Sequence, residues 1–272
     1  MDCRVKRHED DASHLLPGND DQMTTHIHTE TDLDAAIAAL VAADPRWAPI
    51  VARTGRPPLR RREGGFAGLA QIIVAQQVSV ASAAAIHGRL VAIGDPFDHL
   101  SVLRARKDRL LRVGLSNAKV KTLKAIAKAI ESGAIDLHAL AGLSADDAHA
   151  ALVALHGIGP WTADLYLLAC IGHADAWPAG DLALQEAARM VLDLPKRPTA
   201  KEMGPLAERW RPYRAVAARL LWSYYRAMKN REGVLVTPPA KPAKPAKQAK
   251  PAKQAKPAKP AKSKNKRRAN GR

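Results

Sequence analysis

A glycine-proline corner, Leu155-His156-Gly157-Ile158-Gly159-Pro160, constrains this chain more than any other feature. Before it, Ala148, Leu152 and Leu155 recur at helical spacing, with Asp146 and Asp147 as ordinary first-turn acids. The two glycines allow positive φ or a close backbone approach. Pro160 suits the first turn of a following helix, where a missing amide costs nothing. One helix therefore ends and another, Trp161 to Ile171, begins within about four residues. A second break, Trp177-Pro178-Ala179-Gly180-Asp181, opens a third amphipathic helix carrying Leu182, Ala183, Leu184, Ala187, Met190 and Val191. A turn of the first kind bares helix amides to an anion such as a phosphate, although the same sequence also makes a plain αα-corner. Asp181 reads first as the N-cap of the third helix. Cap and catalyst are not exclusive roles for a carboxylate held by amides.

The remaining pattern is helical throughout. Thr31-Asp32 is expected to cap an alanine-rich helix, Leu33 to Ala43, that stops before Pro45. Arg53 to Arg62 reads as a basic, solvated link. A long apolar pattern runs from Phe66 to Leu90, interrupted at Gln76-Gln77, with Ser79 placed to cap a second helix. Shorter helices are expected around 100–104 and 107–113. The helix from Ala118 to Glu131 turns Leu123, Ile126 and Ile130 inward and presents Lys119, Lys121, Lys124 and Lys128 as a solvated face. Thr199 caps another helix, and Pro212 begins the last, Tyr213 to Lys229. No run alternates as a strand does, so the body is expected to be all-α. Residues 1–29 are polar and expected to be disordered; His26 and His28 lack the further ligands a metal needs.

Charge is unevenly spread. Of a formal net +17, the segment Lys241–Arg272 carries ten Lys and three Arg without an acid, leaving +4 for the rest of the chain. Its P/Q-A-K repeat of period three cannot be α-helical. In polyproline II it would place lysines on one stripe about 9 Å apart, on the scale of phosphate spacing. Residues 233–272 are thus expected to be a disordered basic tail that tracks nucleic acid. Two cysteines exclude a disulfide framework and a four-cysteine iron–sulfur cluster, and Cys170 sits in an apolar run as a small core residue. No run is long enough for a membrane span and no secretion segment opens the chain. The expectation is an intracellular protein, cytoplasmic and nucleoid-associated if bacterial, with an anionic partner.

LHGIGPWTA followed by PAGD, with IIVAQQVSVASA upstream and RPYRAVAARLLW downstream, resembles the helix-hairpin-helix DNA glycosylases, and within them the 3-methyladenine DNA glycosylase II branch. The resemblance runs from about Gly64 to Lys229. It implies one helical domain (30–232) of two subdomains with the active site in the cleft between them and the hairpin at about 153–162. It implies Asp181 as the carboxylate that stabilises oxocarbenium character on the sugar, and Trp161 and Trp222 as pocket aromatics, with Tyr166 and Tyr213 as further candidates. Gln77 falls at the wedge inserted where the base leaves the stack, and Gly157 and Gly159 at the hairpin that holds the phosphate backbone. The carbonyls of Val153, Leu155 and Ile158 match positions that hold a monovalent cation, Na or K; no other cofactor is implied. His156 stands where many relatives have proline, and no β-rich pattern precedes Gly64.

Members that also cut the strand carry a lysine after the hairpin proline; this chain has Trp161. The resemblance therefore implies a monofunctional enzyme, acting as a monomer on double-stranded DNA, that flips out alkylated purines such as 3-methyladenine and hydrolyses the base-sugar bond. An indole suits a cationic base. The alternatives are a glycosylase for uracil, hypoxanthine or oxidised bases, and a non-enzymatic hairpin DNA-binding protein.

Overall fold

The computed structural model of the chain describes residues 25–229. The expectations for residues 1–24 and for 230–272, the basic tail included, lie outside the described residues. Twelve α-helices are present among those described: α1 (Glu30–Ala43), α2 (Trp47–Thr54), α3 (Gly65–Ala75), α4 (Val80–Val91), α5 (His99–Arg104), α6 (Lys107–Arg112), α7 (Asn117–Glu131), α8 (Ala145–Val153), α9 (Pro160–Tyr166), α10 (Leu182–Val191), α11 (Ala200–Ala207) and α12 (Arg214–Lys229). The only β pairing among the described residues is an isolated antiparallel bridge, His26 to His173.

The helices divide into two bodies. In one, α3 packs on α4, α7 and α9, while α7 also covers α5 and α6 and α8 covers α9. In the other, α12 packs on α1, α2 and α10. The segment after α9 joins them: Leu167–Ile171 widens into a π turn, and Gly172 ends it in the left-handed conformation, φ +87°. Three of the five tryptophans build the second body's core. Trp210 meets Trp47 and Trp177 edge-on, with centroids 5.1 and 5.5 Å apart. Two of the three indole N–H groups are satisfied, Trp210 Nε1 donating to Asp44 Oδ2 (3.2 Å) and Trp177 Nε1 to the Met203 carbonyl (3.1 Å), while that of Trp47 is buried without a partner among the described residues.

Caps placed by sequence hold at Ser79 and Thr199, whose side chains accept from the Ser82 and Glu202 amides. Three local expectations are corrected. The first helix begins earlier, with Thr29 and Asp32 forming a reciprocal capping box. Residues 25–29 are not loose: the Ile27 amide donates to the Gly172 carbonyl (2.7 Å) and its side chain is buried in the core. The basic stretch before α3 is a strap rather than a solvated link. Pro57 is buried, Arg61 donates to the carbonyls of Cys170 (3.0 Å) and Ile171 (2.7 Å), and Arg219 donates to those of Leu59 and Leu168. Arg61 of the strap and Arg219 of α12 thus satisfy carbonyls that the π turn leaves over. Cys170 is core as expected, its thiol pushed up to about 12 by burial.

Candidate active site

Asp181 enters the site through backbone chemistry. The Pro178-Ala179-Gly180 turn closes with the Asp181 amide donating to the Pro178 carbonyl (2.9 Å), and Gln185 Nε2 ties the Ala179 carbonyl from one turn along α10 (2.8 Å). Asp181 then caps α10, Oδ1 accepting from the Leu184 amide (2.9 Å). Two indoles complete its coordination. Trp222 Nε1 donates to Oδ1 at 3.1 Å and Trp161 Nε1 to Oδ2 at 3.3 Å. Trp161 belongs to the first helix body; Asp181 and Trp222 belong to the second. The carboxylate is 2% exposed, yet no cation pairs with it among the described residues. An anion buried among neutral donors, with no counter-charge, is costly to maintain and is suited to meet positive charge that develops beside it.

The hairpin glycines act for different reasons. Gly157 is left-handed, φ +84°, and a Cβ there would run into Thr122 of α7. Gly159 is extended and its Cβ position is open, so it serves as the bare N-cap of α9. Between them Ile158 is buried and its amide donates to the Leu155 carbonyl (3.1 Å). Among the described residues no amide donates to the carbonyls of Val153 or Ile158.

Gln77 lies in the loop between α3 and α4, exposed and left-handed at φ +55°. Its neighbour Gln76 reaches the site instead, Nε2 donating to Thr162 Oγ1 (2.8 Å) beside Trp161. The two tyrosines are not brought to Asp181. Tyr166 is fully buried on the face of α9 that meets α3, and burial pushes its hydroxyl above the ordinary range. The helical phase explains this: five residues after Trp161, it lies well round the helix from it. Tyr213 is half-buried at the corner before α12, its amide donating to the Trp210 carbonyl (2.8 Å).

Sequence reasoning missed a polar network next to the site. A cavity of about 520 Å³ opens beside Trp161 and Gly180 without reaching Asp181 or Trp222; Asp146, His149, Asp164, Asp175 and Arg214 line it. Asp175 is gripped by Arg214 (2.9 Å) and Arg211 (2.5 Å), which both reach Asp146 as well. His149 Nδ1 meets Asp164 Oδ1 at 2.9 Å. This bond holds the imidazole's pKa above its usual value, while burial raises that of the Asp164 carboxyl. No pattern of period or motif brings these residues together, since they come from four separated segments.

A model of the HhH-GPD superfamily of base excision DNA repair proteins matches residues 70–212. The chain belongs to that superfamily. Its HhH-GPD relatives include the DNA-3-methyladenine glycosylase 1 of Schizosaccharomyces pombe, 30% identical over 222 residues, 79% of this chain and 94% of the relative. A probable bifunctional transcriptional activator/DNA repair enzyme AlkA of Mycobacterium tuberculosis is 32% identical over 207 residues, 71% of this chain; the match spans only 40% of that relative's length. Among solved HhH-GPD structures, a DNA-3-methyladenine glycosidase from Bacillus halodurans superposes with a TM-score of 0.66 at 27% identity, covering 72% of this chain and 92% of the other.

Proposed function

We propose that this protein is a monofunctional DNA glycosylase that flips an alkylated purine, such as 3-methyladenine, out of duplex DNA and hydrolyses its N-glycosidic bond. The observation that carries the reading is the Asp181 carboxylate, buried, held by one amide and two indoles and unpaired with any cation among the described residues. The yeast relative, matched over nearly its whole length, bears the name of a 3-methyladenine glycosylase.

The flipped nucleotide displaces Trp161 from Oδ2, the longest of the three contacts. As the C1′–N bond lengthens, its electrons leave with the base and the sugar takes on oxocarbenium character opposite Asp181. A purine carrying an extra alkyl group is cationic before the bond breaks and leaves neutral, which lowers the barrier. Water attacks C1′, forming the new C–O bond, and its surplus proton passes to solvent, leaving an abasic sugar. The indole faces of Trp161 and Trp222 favour a cationic base, and with no amine at position 161 no imine forms with the sugar. The Gly157–Gly159 hairpin takes the DNA backbone and Gln77 fills the space the base vacates. The free carbonyls of Val153 and Ile158, with that of Leu155, fit a monovalent cation, Na or K, which would supply positive charge toward a phosphate. No other cofactor is required, and the protein acts as a monomer.

Incubation with methylated duplex DNA should release free 3-methyladenine and leave the strand intact until alkali is added. An absence of released base from that duplex, with release from uracil- or hypoxanthine-containing duplexes, would reassign the substrate. A borohydride-trapped covalent complex would overturn the hydrolytic mechanism.

A further inference from the structure

The four-residue loop 76–79 between α3 and α4 has an unusual conformation for its sequence. Gln77 occupies the left-handed region, which non-glycine residues rarely adopt without support. Beyond it Val78 and Val80 hold apolar side chains toward solvent, 39% and 56% exposed. Such a loop does not keep its shape by packing. It is tethered by polar bonds from two other elements. Thr162 on α9 accepts from Gln76 Nε2. Lys119, in the first turn of α7, donates from Nζ to the carbonyls of Val74 (2.9 Å) and Gln76 (2.8 Å).

Those two carbonyls end α3, where no further helical amide is available to them. A cation at a helix C-terminus also meets the negative end of its dipole. Lys119 does not stand in the solvated face that its spacing suggested; its ammonium is partly withdrawn from water, and burial lowers its pKa. Lys124 is its counterpart one turn along α7, donating to the carbonyls of Leu103 (3.2 Å) and Ala105 (2.7 Å) at the end of α5. The same chemistry therefore closes two helices, and only one of them leads into Gln77.

We infer that Lys119 is a positioning residue of the base-flipping step: by clamping the Val74 and Gln76 carbonyls it fixes the left-handed turn that presents Gln77 to the duplex. The inference rests on the glycosylase reading. It adds a residue that touches neither base nor sugar but sets where the wedge stands.

Lys124 supplies the control for a purely structural role. Single-turnover base release is measured on a duplex with one methylated purine, together with the fluorescence of a 2-aminopurine beside the lesion, for the full chain and for Lys119→Met, Lys119→Arg and Lys124→Met. Lys119→Met should lose roughly 10- to 100-fold in rate, as a small displacement of a positioning group does, along with the fluorescence rise that reports unstacking. Lys119→Arg should recover most of both, and Lys124→Met should keep both while melting as early as Lys119→Met. A Lys119→Met protein with wild-type rate and unstacking overturns the inference, and so does a Lys124→Met protein that loses as much. Should Lys119→Met not fold, Lys119→Gln, which retains one donor, is read by the same criteria. A wild-type protein that releases no base sinks the glycosylase reading itself, before any lysine variant is compared.

Discussion

At the scale of single residues, Asp181 has two tasks that are separable by experiment. As an N-cap it needs only an oxygen that accepts from the Leu184 amide, which asparagine retains. As an electrostatic group it needs its charge. Asp181→Asn should therefore fold and bind DNA while base release from methylated duplex falls by about 10²–10³-fold; parallel binding and release assays check this, and undiminished release would remove Asp181 from the chemistry. The hairpin glycines also separate. Gly157→Ala forces a left-handed alanine against Thr122, a cost of about 1–2 kcal/mol from the backbone alone, whereas Gly159→Ala has open space. Thermal melting should distinguish the two, with only Gly157→Ala shifted clearly downward.

At the scale of elements, the Asp175 network joins the start of α8, the loop before Asp181 and the start of α12. Asp175 and Arg214 expose only 10% and 8% of their side chains, so removing Asp175 takes from the buried Arg214 guanidinium its one buried carboxylate and leaves it only the more exposed Asp146 and Glu208. Asp175→Ala should cost about 3 kcal/mol, a fall in Tm on the order of 10 °C, read by calorimetry. His149 and Asp164 link α8 to α9 in a pH-dependent way. The folded protein raises the His149 pKa above 6.5, first through its bond to Asp164. Its stabilisation is therefore complete below the unfolded value and fades as pH rises through the folded one. The stability difference between wild type and His149→Gln should be larger at about pH 6 than at about pH 9, measured by denaturant titration at both.

At the scale of the whole molecule, two helix bodies meet around one carboxylate, and the sequence adds a strongly basic C-terminal segment. Truncation before Lys241 removes a formal +13. Base release at low salt should survive it, while the dependence of DNA affinity on log salt should become clearly shallower, as titrations at several salt concentrations would show. A truncated protein that lost base release under every condition would place the tail in the catalytic apparatus.

The sequence by itself determined what local chemistry decides. Helical periodicity, Ser79 and Thr199 as caps, the break at Gln76-Gln77 and the Gly-Pro corner all act within a few residues, so their consequences are written along the chain. Asp181 was legible for the same reason, because an acid before an amphipathic helix announces a cap. Only the tertiary structure decided what that carboxylate meets: Trp161 lies twenty positions before it and Trp222 forty-one after, and their convergence depends on how two helix bodies dock. The same holds for the lysines of α7, which spacing marked as a solvated face. Whether a long flexible side chain ends in water or on another helix's last carbonyls depends on where that helix stops in space, and no local pattern records it.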